Sequence, residues 1–448
     1  MNSIKVDFSK PQGKVKIFNA VNNGPIYSGR GINNSESWKA LRIPYARLHD
    51  ASYCAAYGGG EWVVDVHRVF PDFDADENNP ENYLFPPTDS LIKALFDHGT
   101  EPYFRLGASI EHWHKKGTHP PKDYDKWARI CEKIILHYTK GWADGFEYNI
   151  KYWEIWNEPD NYQSATGLNP CWQSTPEEFV NFFNTVCPYL MEKFPELKIG
   201  GPAFAYAPRD MTRIYLEGMR AANVRPDFIS YHCYIKDVDE FVEYVRKTNE
   251  LFAEYGFGDV ETHLNEWNYI RGWRGEEYIH SVRSIKGVKG ASFITAAMCA
   301  LHPEKLDMLM YYDARPCGFN GIFETTFLEP LKGYYSFLAW SRLLDLGTAY
   351  KTENGEHLYS IGASDGRDAA ILCTYFNQDD GICGKTVRLE VRGLPSPAGG
   401  KYRLELCSID AEHDMDAIAS YTFDTADFDL TLDMPPYTTY YITVKKEA

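Results

Sequence analysis

From Lys14 to about Leu346, short apolar runs alternate with amphipathic segments. Eight runs read as buried strands: Lys16–Val21, Ile43–Leu48, Glu101–Leu106, Lys151–Asn157, Leu197–Gly201, Asp227–Tyr231, Val260–Asn265 and Asp307–Tyr312. Between most of them lie helix-period stretches, among them Asp123–Lys140, Thr175–Phe194, Arg209–Ala222 and Val238–Tyr255. Ser174 and Thr175, followed by Pro176, Glu177 and Glu178, give a helix start with a cap residue, a first-turn proline and early carboxylates. Asp123 precedes Trp127, Ile130, Ile134 and Ile135, which fall on one helical face.

Eight strands alternating with helices over this span predict a (β/α)8 TIM barrel, a fold of ~250 residues that tolerates insertions to more than ~400. A doubly wound open sheet is the rival, but no G-x-G-x-x-G or P-loop follows an early strand. The run EWVVDVHRVFPDFDAD, after the second strand, reads as an added hairpin or extended strand. Beyond Leu346 the period changes. GEHLYSIGAS, AAILCTYF, KTVRLEVRGL, GKYRLELCSI and TTYYITVKK alternate with period two between Gly, Pro, Asn and Asp turns. That pattern predicts an accessory antiparallel β-sandwich. The first residues share the period and supply it one more strand. The expected organisation is a barrel over 15–346 and a sandwich over 347–448, joined by a strand from 1–14.

Composition narrows the partners. Lys and Arg number 46 against 63 Asp and Glu, a net charge of −17, which excludes non-specific nucleic-acid binding. Aromatic residues make up 15%, and flat rings stack on sugar faces, so carbohydrate is the suspected ligand. No run approaches ~18 consecutive apolar residues, so no membrane span is expected. MNSIKVDFSK lacks the apolar core of a secretory signal, and the ten cysteines contain no C-x-x-C pair. Reduced thiols in a cytoplasmic protein are expected, with a homo-oligomer left open.

Catalytic groups of such a barrel sit at the C-terminal strand ends. Two glutamates do: Glu158 in YWEIWNEPD, closing the fourth strand, and Glu266 in HLNEWNY, closing the seventh. An Asn precedes each, and a Trp follows the second. Glycoside hydrolysis needs such a pair, one carboxyl to protonate the departing oxygen and one to attack or to activate water. Other clusters carry less. EHWHKK (His112, His114) lacks a third metal ligand nearby. In PDFDADENN, with Asp72, Asp74 and Asp76, Glu77 replaces the glycine of a calcium loop and Tyr83 its bidentate Glu, so a solvated acidic turn is expected.

The N-E-P of the fourth strand and the later glutamate resemble the clan of retaining glycoside hydrolases with a (β/α)8 barrel. VDFSKPQGKV, ARLHD, WEIWNEPD and DFISYHCY resemble, more narrowly, glycoside hydrolase family 39, which includes β-xylosidases and α-L-iduronidases and carries a β-sandwich beside the barrel. The resemblance implies Glu158 as general acid/base and Glu266 as nucleophile. It implies Asn157 on the hydroxyl beside the reacting carbon, His49 facing the same sugar, and His232 and Tyr234 against the nucleophile. Trp267 or Trp273 is expected to wall the pocket, and Glu154 to be a buried, paired barrel carboxylate. The resulting expectation is a retaining exo-glycosidase, a β-xylosidase before an arabinosidase, glucosidase, galactosidase or uronidase, that requires no metal or organic cofactor. A uronide would call on Arg271 and Arg274. The rival of another class is a non-catalytic carbohydrate-binding barrel.

Overall fold

The computed structural model describes residues 2–26, 31–49, 63–109, 117–162, 169–395 and 401–446. After β1 (Ser3–Lys14), eight parallel strands close into a barrel in chain order: β2 (Ile17–Asn22), β3 (Tyr45–Arg47), β4 (Glu101–Leu106), β5 (Tyr152–Ile155), β6 (Lys198–Phe204), β7 (Phe228–Ile235), β8 (Glu261–Tyr269) and β9 (Met308–Tyr311). The described helices are α1 (Ser35–Leu41), α2 (Val66–Val69), α3 (Pro86–Asp97), α4 (Tyr124–Lys140), α5 (Pro176–Lys193), α6 (Asp210–Ala221), α7 (Val238–Glu254), α8 (Gly275–Ile285), α9 (Val288–Leu301) and α10 (Lys332–Leu346).

Local chemistry explains the element ends. The Asp123 carboxylate accepts from Lys126 N at 2.9 Å and starts α4, which stops at Gly141 in the left-handed region. Thr175 caps α5 in the same way, with Pro176 in the first turn. The segment expected as a hairpin or extended strand is not one where it is described. Val66–Val69 forms the short helix α2, because Val66, Val69 and Phe70 bury one face at helical spacing. Glu61 and Trp62, which open that segment, lie outside the described residues.

The second domain is a single hydrogen-bonded run of nine strands. It takes β10 (Thr348–Asn354), β11 (Leu358–Ser364), β12 (Ala369–Tyr375), β13 (Lys385–Arg392), β14 (Tyr402–Ile409), β15 (Asp414–Phe423), β16 (Phe428–Met434) and β17 (Thr439–Lys446) in the order β15-β14-β17-β12-β11-β10-β1-β13-β16. The N-terminal strand sits inside this sheet, antiparallel to β10 and parallel to β13. Strand β12 is buried along its whole length, since one side meets the sheet's own core and the other meets the barrel. There the Ser292 hydroxyl of α9 lies 2.8 Å from that of Thr374. No described helix is long and apolar enough to cross a membrane. The nine described cysteines are free thiols, mostly buried, and Cys54 lies outside the described residues.

Candidate active site

Alternation along the strands sorts the barrel interior into layers. Strand β7 shows it best. Phe228 joins Ala20, Tyr103, Tyr152, Met308 and Met310 in an apolar floor. Two residues on, Ser230 donates to Glu154 at 2.5 Å. His232 then reaches Glu158, and Tyr234 reaches Glu266.

The middle layer is ionic. Arg47, fully buried at the end of β3, donates through Nε to Glu154 (2.6 Å) and through Nη1 to Glu266 (2.7 Å). Its Nη1 also reaches Asn22 Oδ1 (3.1 Å), and its Nη2 donates to Asn157 Oδ1 (2.6 Å). Asn265 Nδ2 supplies Glu154 from the other side at 2.5 Å. The two asparagines that precede the glutamates therefore hold one Arg47–Glu154 cluster. Glu154 is the paired structural carboxylate expected of it.

Two backbone features turn the glutamates into the mouth. Trp156 and Glu158 both take positive φ, 76° and 48°. Such residues are uncommon outside glycine and concentrate where function demands an exact orientation. Their strand is flanked closely: a Cβ on Gly107 would stand 2.9 Å from Trp156 Cα, and one on Gly201 2.5 Å from the Ile155 carbonyl. On β8, Tyr231 pairs with Leu264 but His232 pairs with Glu266, so Asn265 is an extra residue in the register. That shift lets consecutive side chains, Asn265 and Glu266, both enter the interior.

The mouth itself is compact. His232 Nδ1 lies 2.8 Å from Glu158 Oε1 and 3.5 Å from Glu266 Oε2. Ligand atoms of the three residues all fall within 4.8 Å of one another. The Tyr234 hydroxyl donates to Glu266 Oε2 at 2.7 Å, and His49 Nε2 stands 3.9 Å from its Oε1. Asn161 Nδ2 donates to Glu158 Oε2 at 2.7 Å, with the Cys171 thiol 3.7 Å away. Burial pushes the Glu266 carboxyl above its ordinary value; His232, Arg47 and the Tyr234 hydroxyl pull it back, while Glu158 adds to the push. Burial takes the His232 imidazole down to about 4 against the pull of Glu266, so the ring is neutral at pH 7. A neutral imidazole between two carboxyl groups can donate to a carboxylate or accept from a protonated acid. Asn157 Nδ2 is buried without a partner among the described residues, which leaves a donor for a ligand. The Glu158, His232 and Glu266 trio could offer three atoms to a cation, but the Arg47 guanidinium on Glu266 opposes one there.

Of the expected site residues, Glu158, Glu266, Asn157, His49, His232 and Tyr234 gather in this mouth. Trp273 joins them at its rim, 57% exposed, its ring 5.0 Å from Tyr234. Trp267 does not. With Glu266 turned inward, the next residue points outward, and Trp267 is fully buried against Phe241, Phe293 and Tyr311. Arg271 is committed elsewhere, to Glu277 and Asp380 at 2.8 Å each. His112 and His114 lie outside the described residues, and the Asp72–Asp76 segment is the expected turn, its carboxylates accepting from Asp74 and Asn78 amides. Arg47, Asn161 and Cys171 were not anticipated; only the ARLHD resemblance pointed near the first.

The model of glycosyl hydrolases family 39 matches residues 4–265, more than half of the chain. The chain belongs to glycosyl hydrolases family 39. The match stops one residue short of Glu266, which the register shift and Arg47 place independently. A β-xylosidase of Geobacillus stearothermophilus is 20% identical over 237 residues, 46% of this chain and 45% of that protein, so the match spans less than half of the relative's length. Among solved structures, a glucosidase from Croceicoccus marinus superposes with a TM-score of 0.80 at 19% identity, covering 100% of this chain and 99% of that one. A monomeric β-xylosidase from Caulobacter crescentus CB15 gives 0.72 at 16% identity, covering all of both chains. These likenesses show that the barrel with its companion sheet is a shared fold of family 39 and its structural neighbours.

Proposed function

We propose that this family 39 chain is a retaining exo-glycosidase, with β-xylosides as its substrate class. The carrying observation is the closeness of Glu158 and Glu266, whose oxygens fall within the 4.8 Å group around His232. Retaining enzymes hold their carboxyl groups ~5–5.5 Å apart, whereas inverting enzymes need ~6.5–9.5 Å to admit a water.

Glu266 takes donors from Arg47 and Tyr234, which favour the carboxylate, the form that attacks the anomeric carbon. Glu158, hydrogen-bonded to the neutral His232 and to Asn161, protonates the departing oxygen. Water then releases the sugar, with Glu158 as base. The free Asn157 Nδ2 suits the sugar hydroxyl beside the reacting carbon. Of the two arginines a uronide would call on, Arg271 is already paired with two carboxylates, which leaves Arg274 alone to meet a uronate. The glucosidase named among the structural neighbours makes glucosides the second reading. Nitrophenyl glycosides followed by proton NMR test class and glycone together. A first-formed sugar of the substrate's own anomeric configuration is expected, fastest from the β-xyloside. An inverted first product, or no turnover across the panel, would overturn the reading.

A further inference from the structure

The loop between β12 and β13 belongs to the accessory sheet, yet it docks on the segment that carries Trp273. Phe376 opens it, fully buried, its ring 5.4 Å from Phe293 of α9 and 6.5 Å from Tyr269 at the end of β8. Four residues later, Asp380 divides its carboxylate among the segment after β8, α8 and α9. One oxygen accepts from Lys289 Nζ of α9 at 2.7 Å. The other accepts from Arg271 Nη1 at 2.8 Å and lies 2.9 Å from His280 Nε2. Lys289 also donates to the Gln378 carbonyl at 2.7 Å, so the lysine is tied to the same loop twice.

Arg271 stands two residues before Trp273. Its backbone N–H donates to Ser281 Oγ, and its Nε pairs with Glu277, so Asp380 is its only partner on the accessory sheet among the described residues. Among the described residues Trp273 has little else to hold it: it is more than half exposed, packs edge-on against Tyr234 and lies tilted to Phe319 at 6.0 Å. Tyr234 in turn donates to the nucleophile candidate. A chain of direct contacts thus runs from the accessory sheet to within one ring of the reacting carboxylate.

We propose that Asp380 is a positioning residue that fixes the Trp273 wall of the sugar pocket from the accessory domain. The kinetic half of this proposal rests on the glycosidase reading; the structural half does not. An isolated exposed ion pair would carry little energy. Here one partner, Lys289, is largely buried and would lose its counter-charge, and the other holds the active-site loop.

The test uses the full chain with Asp380→Asn, Asp380→Glu and Arg271→Met, and Lys332→Ala as a control. Lys332 pairs with Asp414 across the same two domains without touching residues 269–274. In Asp380→Asn and Arg271→Met, amide exchange over 270–274 should quicken, and KM for nitrophenyl xyloside should rise roughly tenfold while kcat stays within about twofold, the signature of lost binding. Asp380→Glu should restore both. Lys332→Ala should change neither. Arg271→Met keeps the Lys289–Asp380 tie, so it answers even where Asp380→Asn folds poorly. Unchanged exchange in both variants, or an equal change in Lys332→Ala, would overturn the proposal. If the parent protein turns over no glycoside but exchange responds as stated, the glycosidase reading fails and the positioning stands.

Discussion

The two ends of the barrel interior are built by the same strands and could hardly differ more. At the floor, Tyr103 and Tyr152 stack 5.4 Å apart, Phe228 stacks on His263 at 4.7 Å, the Tyr103 hydroxyl lies 3.1 Å from His263 Nδ1, and the Glu261 carboxylate meets His263 and the Tyr152 hydroxyl only at the outer edge, at 3.5 and 3.3 Å. Two residues farther along, Arg47, Glu154 and Glu266 put three formal charges where the floor has rings. A floor like that maximises buried apolar area. The ionic layer leading to the mouth instead loses solvation for every charge and recovers it only through hydrogen bonding. The contrast marks which end was built for chemistry. It also explains the aromatic content: Trp38, Trp153, Trp156, Trp172, Trp267 and Trp340 are core, whereas Trp273 is more than half exposed at the rim.

The largest way to break the contrast is at Glu158, the proposed acid. Glu158→Ala should lower kcat/KM by roughly 10³-fold on alkyl glycosides and far less on nitrophenyl glycosides, whose leaving groups need little protonation. Azide should rescue the activated substrate and give a glycosyl azide of the substrate's configuration. Rescue with the opposite configuration would interchange Glu158 and Glu266.

The next comparison sets one residue of the ionic layer beneath the mouth against one floor residue. Arg47→Met leaves Glu154 and Glu266 buried with a charge unmatched, so urea unfolding should show a loss of about 3–5 kcal/mol. Tyr103→Phe removes one neutral hydrogen bond in the floor and should lose about 1 kcal/mol, with activity unchanged. Equal losses would erase the distinction between the two ends.

Acid should expose the same asymmetry more gently. The folded His232 value of about 4 lies below the ordinary 6.5, so unfolded chains take up a proton that the native ring refuses. That stability is whole above pH 6.5 and is lost as pH falls toward 4, by up to about 3 kcal/mol for such a shift. Glu266, raised by burial, acts in the other sense: its contribution is present below pH 4.5 and fades as pH rises through its folded value. The urea midpoint should therefore fall between pH 6.5 and 4, and His232→Gln should flatten the fall. An unflattened curve would mean that the imidazole is not the protected group.

How far the sequence reached follows from which interactions are local. All eight barrel strands and the caps at Asp123 and Thr175 were legible, because period and capping are written within a dozen residues. Glu158 and Glu266 were legible as strand-end carboxylates. The error over Trp267 was avoidable in principle, since an inward Glu266 already turns its neighbour outward. Arg47 was not legible on physical grounds. A strand arginine is ordinarily a surface residue, and its partners Glu154 and Glu266 lie 107 and 219 positions away. The Asn265 register shift was equally hidden, since a one-residue slip leaves no mark on composition or period.

Glu266 is the proposed nucleophile of a double displacement. Incubation with an activated 2-fluoro-β-xyloside should trap the sugar on the protein, and peptide mass spectrometry should find the adduct on Glu266. The adduct should be absent from Glu266→Ala and present in Glu158→Ala. A label on Glu158, or turnover of the parent substrate with no trapped species under any condition, would contradict the assignment.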